Sequence, residues 1–266
     1  MQDTREAWKQ MTIDRRELGS GEILLLGTGE AFDNLPNTSV LCRLGATFLV
    51  DCGPTVPPEV WNTIPDPEAL DAIYLTHLHG DHTFGVPGVL FRLWQDGRRK
   101  PLTIIGQQGT KEYMAALFVL AHGKPWSTLS YRLRFLTVEE GVSIRYRGAR
   151  LSFAETKHSV RNLAIRFDWE GKSLAISGDG SPTDALARLY RGCGVVIQET
   201  FQDEVFEPVH TSMSAVMRLA SETGIRRLYL VHLSRLFKAT AQKCLQERAP
   251  QGLRVSLGRT GQRIRL

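Results

Sequence analysis

The stretch "LTHLHGDHTFG", Leu75 to Gly85, gathers three of the chain's seven histidines and one aspartate between His77 and His82. It follows the apolar run "DAIYLT" at 71–76, which reads as a strand buried on both faces. On extended backbone His77 and His79, two residues apart, point to one side and can share an ion, whereas on a helix they would diverge by about 200°. Asp81 and His82 are adjacent and aim elsewhere, so the spacing suits two neighbouring metals rather than one. Imidazole and carboxylate donors without a thiolate favour a catalytic site with an open coordination position over a closed structural one.

Working outward, other apolar runs end in the same residue types. His158 closes "LSFAETKH", Asp179 closes "SLAISGD" and His232 closes "RLYLVH". Taken singly, His158 or His232 reads equally well as a buried structural group. The repetition favours ligands, because sites built on sheets collect residues where strands end and loops begin. His122, in "LAHGKP", follows a helix-like stretch and reads as structural or surface.

The strand pattern extends in both directions. "EILLLG" at 22–27, "SVLCRL" at 39–44, "ATFLVD" at 46–51 and "LTIIG" at 102–106 form a first group. "VSIRYR", "RLSFAET", "LAIRFD" and "SLAISGD" between 142 and 179, then "GVVIQE" at 194–199 and "RLYLVH" at 227–232, form a second. Helix-like stretches separate them at 109–121, 181–190, 211–223 and 237–247, with Ser181-Pro182 as a helix start because a hydroxyl caps free amides and proline suits the first turn. Two sheets sandwiched between helical layers, within one domain over 21–266, is the expected α/β architecture. Residues 1–20 read as a solvated arm or a short amphipathic helix, and "LRVSLGRTGQRIRL" at the C-terminus reads as an edge hairpin.

Composition is that of an ordinary globular protein, 42% apolar and 23% charged over 266 residues, which argues against a fibre, a coiled coil or a disordered chain. No apolar run reaches membrane-spanning length and the first residues lack the apolar core of a signal peptide, so no membrane association and a cytoplasmic location are expected. A net charge of +5, with "GRRK" at 97–100 as the densest basic block, permits an anionic substrate and leaves nucleic acid a secondary expectation. Cys42, Cys52, Cys193 and Cys244 form no C-x-x-C pair and read as free thiols.

With these motifs in hand, the chain resembles a metallo-β-lactamase-fold hydrolase, most closely the phosphodiesterase branch typified by tRNase Z. The resemblance runs over about Gly21 to Phe237 and rests on "LLGTGEA", "FLVDCG", "LTHLHGDHTFGVPG", His158, "ISGDG", "QETF", "VHTS" and "LVHLS". It implies an αββα four-layer sandwich and two divalent metal ions, zinc foremost with manganese or iron as alternatives. One ion would take His77, His79 and His158, the other Asp81, His82 and His232, with Asp179 bridging. A hydroxide between the metals would be the nucleophile, and Asp81 belongs to the catalytic set. Asp51 matches an aspartate that supports the metal-bearing loop, its alternative reading being a turn residue before Gly53. Glu199 and His210 match a pair in which the glutamate orients a histidine that protonates the leaving alkoxide; alternatively His210 caps the helix at Thr211. A homodimer is also implied.

The chain departs from tRNase Z at Pro36-Asn37, in "DCGPTVPPE" and in "HLSRLF", and above all in the length of one interval. Only twenty residues separate His158 from Asp179, too few for the tRNA-binding arm that many members carry there. A phosphodiesterase acting on a small anionic ester is therefore the leading expectation, with a sulfate ester or a cyclic nucleotide also fitting. The alternatives are an arylsulfatase, lactonase or thioesterase, a tRNA 3′-processing endonuclease, and a non-enzymatic metal- or ligand-binding regulator. Substrate-wall candidates are the loop 201–209 with Phe206, the segment Thr83–Pro87, and Arg161 with Asn162.

Overall fold

Alternation along each strand sorts its side chains into two different cores. In β1 (Glu22–Gly27) Ile23 and Leu25 join one buried cluster while Leu24 and Leu26 join another. The same split recurs in β3 (Thr47–Val50), with Phe48 and Val50 on one side and Leu49 on the other. A strand so divided must be covered on both faces, which is why these runs are apolar throughout instead of alternating with polar residues.

The computed structural model describes residues 18–205 and 208–266. The first sheet adds β2 (Ser39–Arg43), β4 (Ala72–Tyr74), β5 (Leu102–Gly106), β6 (Leu133–Thr137) and β14 (Arg263–Arg265) in the order β14-β1-β2-β3-β4-β5-β6. The second contains β7 (Ser143–Tyr146), β8 (Ala149–Thr156), β9 (Asn162–Trp169), β10 (Lys172–Ile176), β11 (Val195–Glu199), β12 (Arg227–Val231) and β13 (Arg254–Leu257), ordered from β13 to β7 in reverse sequence. Between the sheets lies a core drawn from both, in which Phe48 of β3 meets Phe167 of β9 with ring centroids 5.0 Å apart. The outer face of the first sheet packs on α1 (Pro57–Thr63), α3 (Val86–Gln95) and α4 (Thr110–His122), with the short α2 (Gly80–Thr83) beside them. The outer face of the second packs on α5 (Asp184–Tyr190), α6 (Met213–Thr223) and α7 (Arg235–Arg248). The three cores are the three interfaces of an αββα sandwich.

Several local readings change. The hydroxyl that caps α5 is that of Thr183, which accepts from the Leu186 amide, while Ser181 donates to the carbonyls of Pro208 and His210. Helix α6 is capped by Ser212, not entered at His210 or Thr211. The C-terminal strands do not form a hairpin: β13 pairs in parallel with β12 in the second sheet, and β14 pairs antiparallel with β1 in the first. Half-burial marks both as edge strands, but periodicity carries no information about which edge a strand joins. Helix α3 escaped the sequence reading because Pro87 and Gly88 punctuate it, although proline is tolerated in a first turn. In "GRRK", Arg98 is buried and donates to the carbonyls of Lys100, Pro67, Leu70 and Pro101, and Lys100 pairs with Asp71, so the block is largely structural. All four cysteines are free, and burial pushes the Cys42 and Cys52 thiols well above their ordinary range. No helix among the described residues is long and apolar enough to cross a membrane. Of the arm expected over 1–20, residues 1–17 lie outside the described residues.

Because the central core belongs to both sheets, cutting it should weaken both together. Replacing the buried Phe167 by alanine is expected to lower the unfolding free energy by about 3–5 kcal/mol in one cooperative transition, read by chemical denaturation.

Candidate metal centre

Strand ends from both sheets converge at one edge of the sandwich. His77 and His79 follow β4, His158 follows β8, Asp179 follows β10 and His232 follows β12, while α2 carries Asp81 and His82. The backbone there takes conformations that ordinary residues avoid. Asp51 and His232 have φ of 59° and 57°, in the left-handed region. Gly178 and Gly180, flanking Asp179, have φ of 62° and 112°, and a Cβ on Gly178 would sit 2.2 Å from Asn162 Oδ1. Only glycine can turn the chain there and still let it pass so close.

Hydrogen bonds fix the tautomers of three histidines. His158 Nδ1 lies 2.8 Å from the Val209 carbonyl, which can only accept, so Nδ1 holds the proton and Nε2 keeps its lone pair. Thr76 gives its single hydroxyl proton to Asp51 Oδ2 at 2.7 Å and therefore accepts from His77 Nδ1 at 3.0 Å, again freeing Nε2. His82 Nδ1 donates to Asp51 Oδ2 at 2.8 Å. Each ring thus turns its other nitrogen away from its anchor, as second neighbours of metal ligands commonly arrange.

The liberated nitrogens meet in two groups. His77 Nε2 and His158 Nε2 each lie 3.2 Å from His79 Nδ1. One proton on His79 can satisfy one of these lone pairs but not both. In the second group His82 Nε2 lies 3.3 Å from Asp81 Oδ2 and 3.4 Å from Asp179 Oδ1, and His232 Nε2 lies 3.2 Å from Asp179 Oδ2. Asp179 Oδ2 is also 4.0 Å from His77 Nε2, so this carboxylate stands between the groups. His82 Nε2 and Asp179 Oδ1, both members of this group, are buried without a hydrogen-bond partner, as is Nδ1, the other ring nitrogen of His232. A tetrahedral ion with bonds of about 2.0–2.1 Å holds its donors about 3.3 Å apart, close to the 3.2–3.4 Å contacts found within each group. Donor chemistry, orphaned atoms and spacing all fit a pair of divalent ions.

Electrostatics agree with that fit. Burial, reinforced by the His82 imidazole, holds His77 well below its ordinary value and so keeps it neutral, and burial with His158 lowers His79. Burial opposes charge on His82, but the carboxylates of Asp179 and Asp51 outweigh it and raise His82 well above its ordinary value. Burial likewise opposes ionisation of Asp179, yet His232, His82 and His77 hold its carboxyl well below the usual range. Without an ion, a proton on His82 serves as counter-charge to the buried carboxylates.

Glu199 and His210 meet beside this cluster. Glu199 ends β11, is buried, and accepts from His210 Nδ1 through Oε1. Its Oε2 accepts from the amides of Gly180, at 3.0 Å, and Thr211, at 3.1 Å. His210 stacks on Phe201, with ring centroids 4.3 Å apart, and its centroid is 5.0 Å from that of His158. Donor atoms of Asp179, Glu199 and His210 lie within 4.8 Å of one another.

Some candidates find other employment. Arg161 pairs with Glu139 at 2.6 Å and Glu155 at 3.2 Å, and Asn162 is buried, donating to Thr156 Oγ1 and the Ser177 carbonyl and accepting from the Asp179 amide. Asn162 therefore shapes the Asp179 loop and is not placed to meet an anion. Thr83 donates to the His79 carbonyl, whereas Phe84 is 55% exposed at the rim. Phe206 lies outside the described residues. Sequence reading missed Thr76, whose only signal was adjacency to His77, and placed Phe201 in the candidate wall loop 201–209 without its stacking on His210.

The family model for Anti-Pycsar protein Apyc1 matches residues 21–249. The chain is 26% identical over 275 aligned positions to a ribonuclease Z of Methanothermobacter thermautotrophicus, covering 82% of this chain and 88% of that protein. Its fold is similar to the metallo-β-lactamase fold protein YhfI from Bacillus subtilis, with a TM-score of 0.77 at 22% identity, covering 91% and 98% of the two chains. It is also similar to human tRNase Z, short form, with a TM-score of 0.74 at 21% identity, covering 91% and 98%. The sandwich is thus of the metallo-β-lactamase type.

Because an ion must displace the proton held by His82, metal affinity is expected to fall as the pH drops below that residue's raised pKa and to level off above it. Competition titrations with a chromogenic chelator at stepped pH should show this slope. In the same titrations Asp51→Asn, which loosens His82, should cost about 10–100-fold in affinity.

Proposed function

The chain belongs to the Anti-Pycsar protein Apyc1 family, and we propose that it cleaves a compact phosphodiester at a dinuclear metal centre with His210 as proton donor to the leaving group. It is a metal-dependent phosphoric diester hydrolase of the tRNase Z-like branch. His77, His79 and His158 would hold one ion, Asp81, His82 and His232 the other, and Asp179 both. Imidazole and carboxylate donors suit zinc first, with manganese or iron also accepted. When bound, such ions lower the pKa of a water and neutralise an anionic oxygen of the substrate.

The observation that carries the reading is the Glu199–His210 pair. Phosphodiester hydrolysis expels an alkoxide, a poor leaving group unless it is protonated as it departs. Glu199 is held by two backbone amides and accepts from His210 Nδ1, which favours the imidazolium and leaves Nε2 as the nitrogen with a proton to give. Phe201 sets the plane of the ring. Asp51 and Thr76 orient His82 and His77, and the Val209 carbonyl orients His158, so the donors are held in place before substrate arrives.

Substrate size is argued from the hairpin of β9 and β10. Residues 157–161 join β8 to β9, and Trp169 pairs directly with Lys172, so a two-residue turn closes the hairpin of β9 and β10. That turn carries no projection with which to grip a long RNA, which favours a small diester such as a cyclic nucleotide. Similarity to a ribonuclease Z supports a second reading, in which the diester belongs to RNA.

Protein prepared without added metal is expected to contain about two ions per chain by elemental analysis and to hydrolyse bis(p-nitrophenyl) phosphate. Chelation should abolish turnover and metal should restore it. His210→Ala should cost about 10²–10⁴-fold in kcat on alkyl diesters but far less on activated aryl diesters, which need no proton donor. Equal losses on both would remove His210 from the acid role. Turnover of cyclic nucleotides measured beside an RNA with a 3′ extension decides substrate size.

A further inference from the structure

The second sheet has another feature at its far end. β12 begins at Arg227 and runs to Val231, immediately before His232, so its two ends lie about 13 Å apart along the strand. Around the starts of β10, β12 and β13, away from the candidate metal centre, is a cavity of about 610 Å³. Its wall carries Lys172, Arg226, Arg227 and Arg254 and no acidic side chain, with Ile225 and Leu266 as apolar patches between glycines.

Several cations elsewhere on this surface have acidic partners. Arg92 pairs with Asp96, Arg150 with Asp168, Arg161 with Glu139 and Arg248 with Asp203. Among the described residues, Lys172, Arg226 and Arg254 form no ion pair, and Arg227 donates only to the Arg265 carbonyl, at 2.6 Å. Four cations around one concavity repel one another, and an anion lodged between them relieves that repulsion. Guanidinium forks match phosphate oxygens in pairs. The volume falls in the range of small-molecule sites, and the number of cations exceeds what a single phosphate requires.

We propose that this cavity binds a small anion bearing two or more phosphate groups, such as a nucleoside polyphosphate, at a site separate from the metal centre. The guanidinium groups of Arg226 and Arg254 and the ammonium of Lys172 hold the phosphates, Arg227 is the fixed member, and Ile225 with Leu266 offers apolar surface to the remainder of the ligand.

Calorimetric titration of the metal-loaded protein with ATP, pyrophosphate and inorganic phosphate tests this, with a short RNA as a fourth arm. The expected result is binding of ATP and pyrophosphate in preference to inorganic phosphate, weakened about tenfold or more by each of Arg226→Ala and Arg254→Ala. Both variants should retain wild-type turnover of bis(p-nitrophenyl) phosphate without nucleotide, which shows that they fold. The proposal is overturned if neither ATP nor pyrophosphate binds, or if inorganic phosphate binds as tightly. It is equally overturned if both variants bind ATP with unchanged affinity, which places the nucleotide at the metals, or if RNA binds more tightly than ATP and is the ligand the variants lose.

Discussion

One buried carboxylate organises the metal-bearing edge of this protein. Asp51, at the end of β3, accepts from the Thr76 amide at 2.8 Å, the Thr76 hydroxyl at 2.7 Å and His82 Nδ1 at 2.8 Å. Its backbone is equally committed: its amide donates to the Tyr74 carbonyl and its carbonyl accepts from Ser39 Oγ. One residue therefore ties three strands together through its backbone and steadies two candidate ligands through its side chain. Next to it, Gly53 passes so near α2 that a Cβ there would lie 2.0 Å from the Asp81 carbonyl. The "DCG" turn is the cradle of the histidine motif, and the left-handed backbone at Asp51 is the strain that this network of bonds sustains.

A chain of buried polar groups leads from that carboxylate into both groups of donors. Lone pairs on His77 and His158 face inward because each ring surrenders its other nitrogen to a fixed acceptor, and His82 Nε2 faces inward in the same way, bearing the proton that an ion would displace. Such a cluster is costly when empty, since donors and acceptors are buried without partners. The glycines around Asp179 and the capped starts of α5 and α6 leave the loops little freedom to relieve it by moving.

The sandwich and the cluster were legible in the sequence for the same reason. Strands covered on both faces are uniformly apolar, so a single charged or imidazole residue at the end of such a run stands out, as His158, Asp179 and His232 do. Asp51 and the Glu199–His210 pair were reachable only through resemblance to a family, because one carboxylate near a turn carries no pattern of its own. What escaped depended on distant pairing. Arg161 looked free until Glu139, twenty-two positions away, came alongside, and Asn162 looked like a ligand contact until the Asp179 loop folded over it. The cap of α5 moved from Ser181 to Thr183 because the first hydroxyl is drawn to the carbonyls of the 208–210 segment. The edge strands of the C-terminus were recognisable as edges, but their partners were not.

Those partners have a consequence for how the protein is made. β1 lies between β2, its near neighbour in sequence, and β14, more than two hundred residues later. During synthesis the first sheet therefore emerges with the outer edge of β1 unpaired, apolar and ready to template another strand, and it stays so until Arg263–Arg265 leaves the ribosome. Closure of that edge is a contact of very long sequence separation, the kind that slows folding most. Nascent chains should therefore stay vulnerable to misassembly until that strand is made, even after every donor of the metal cluster has been synthesised.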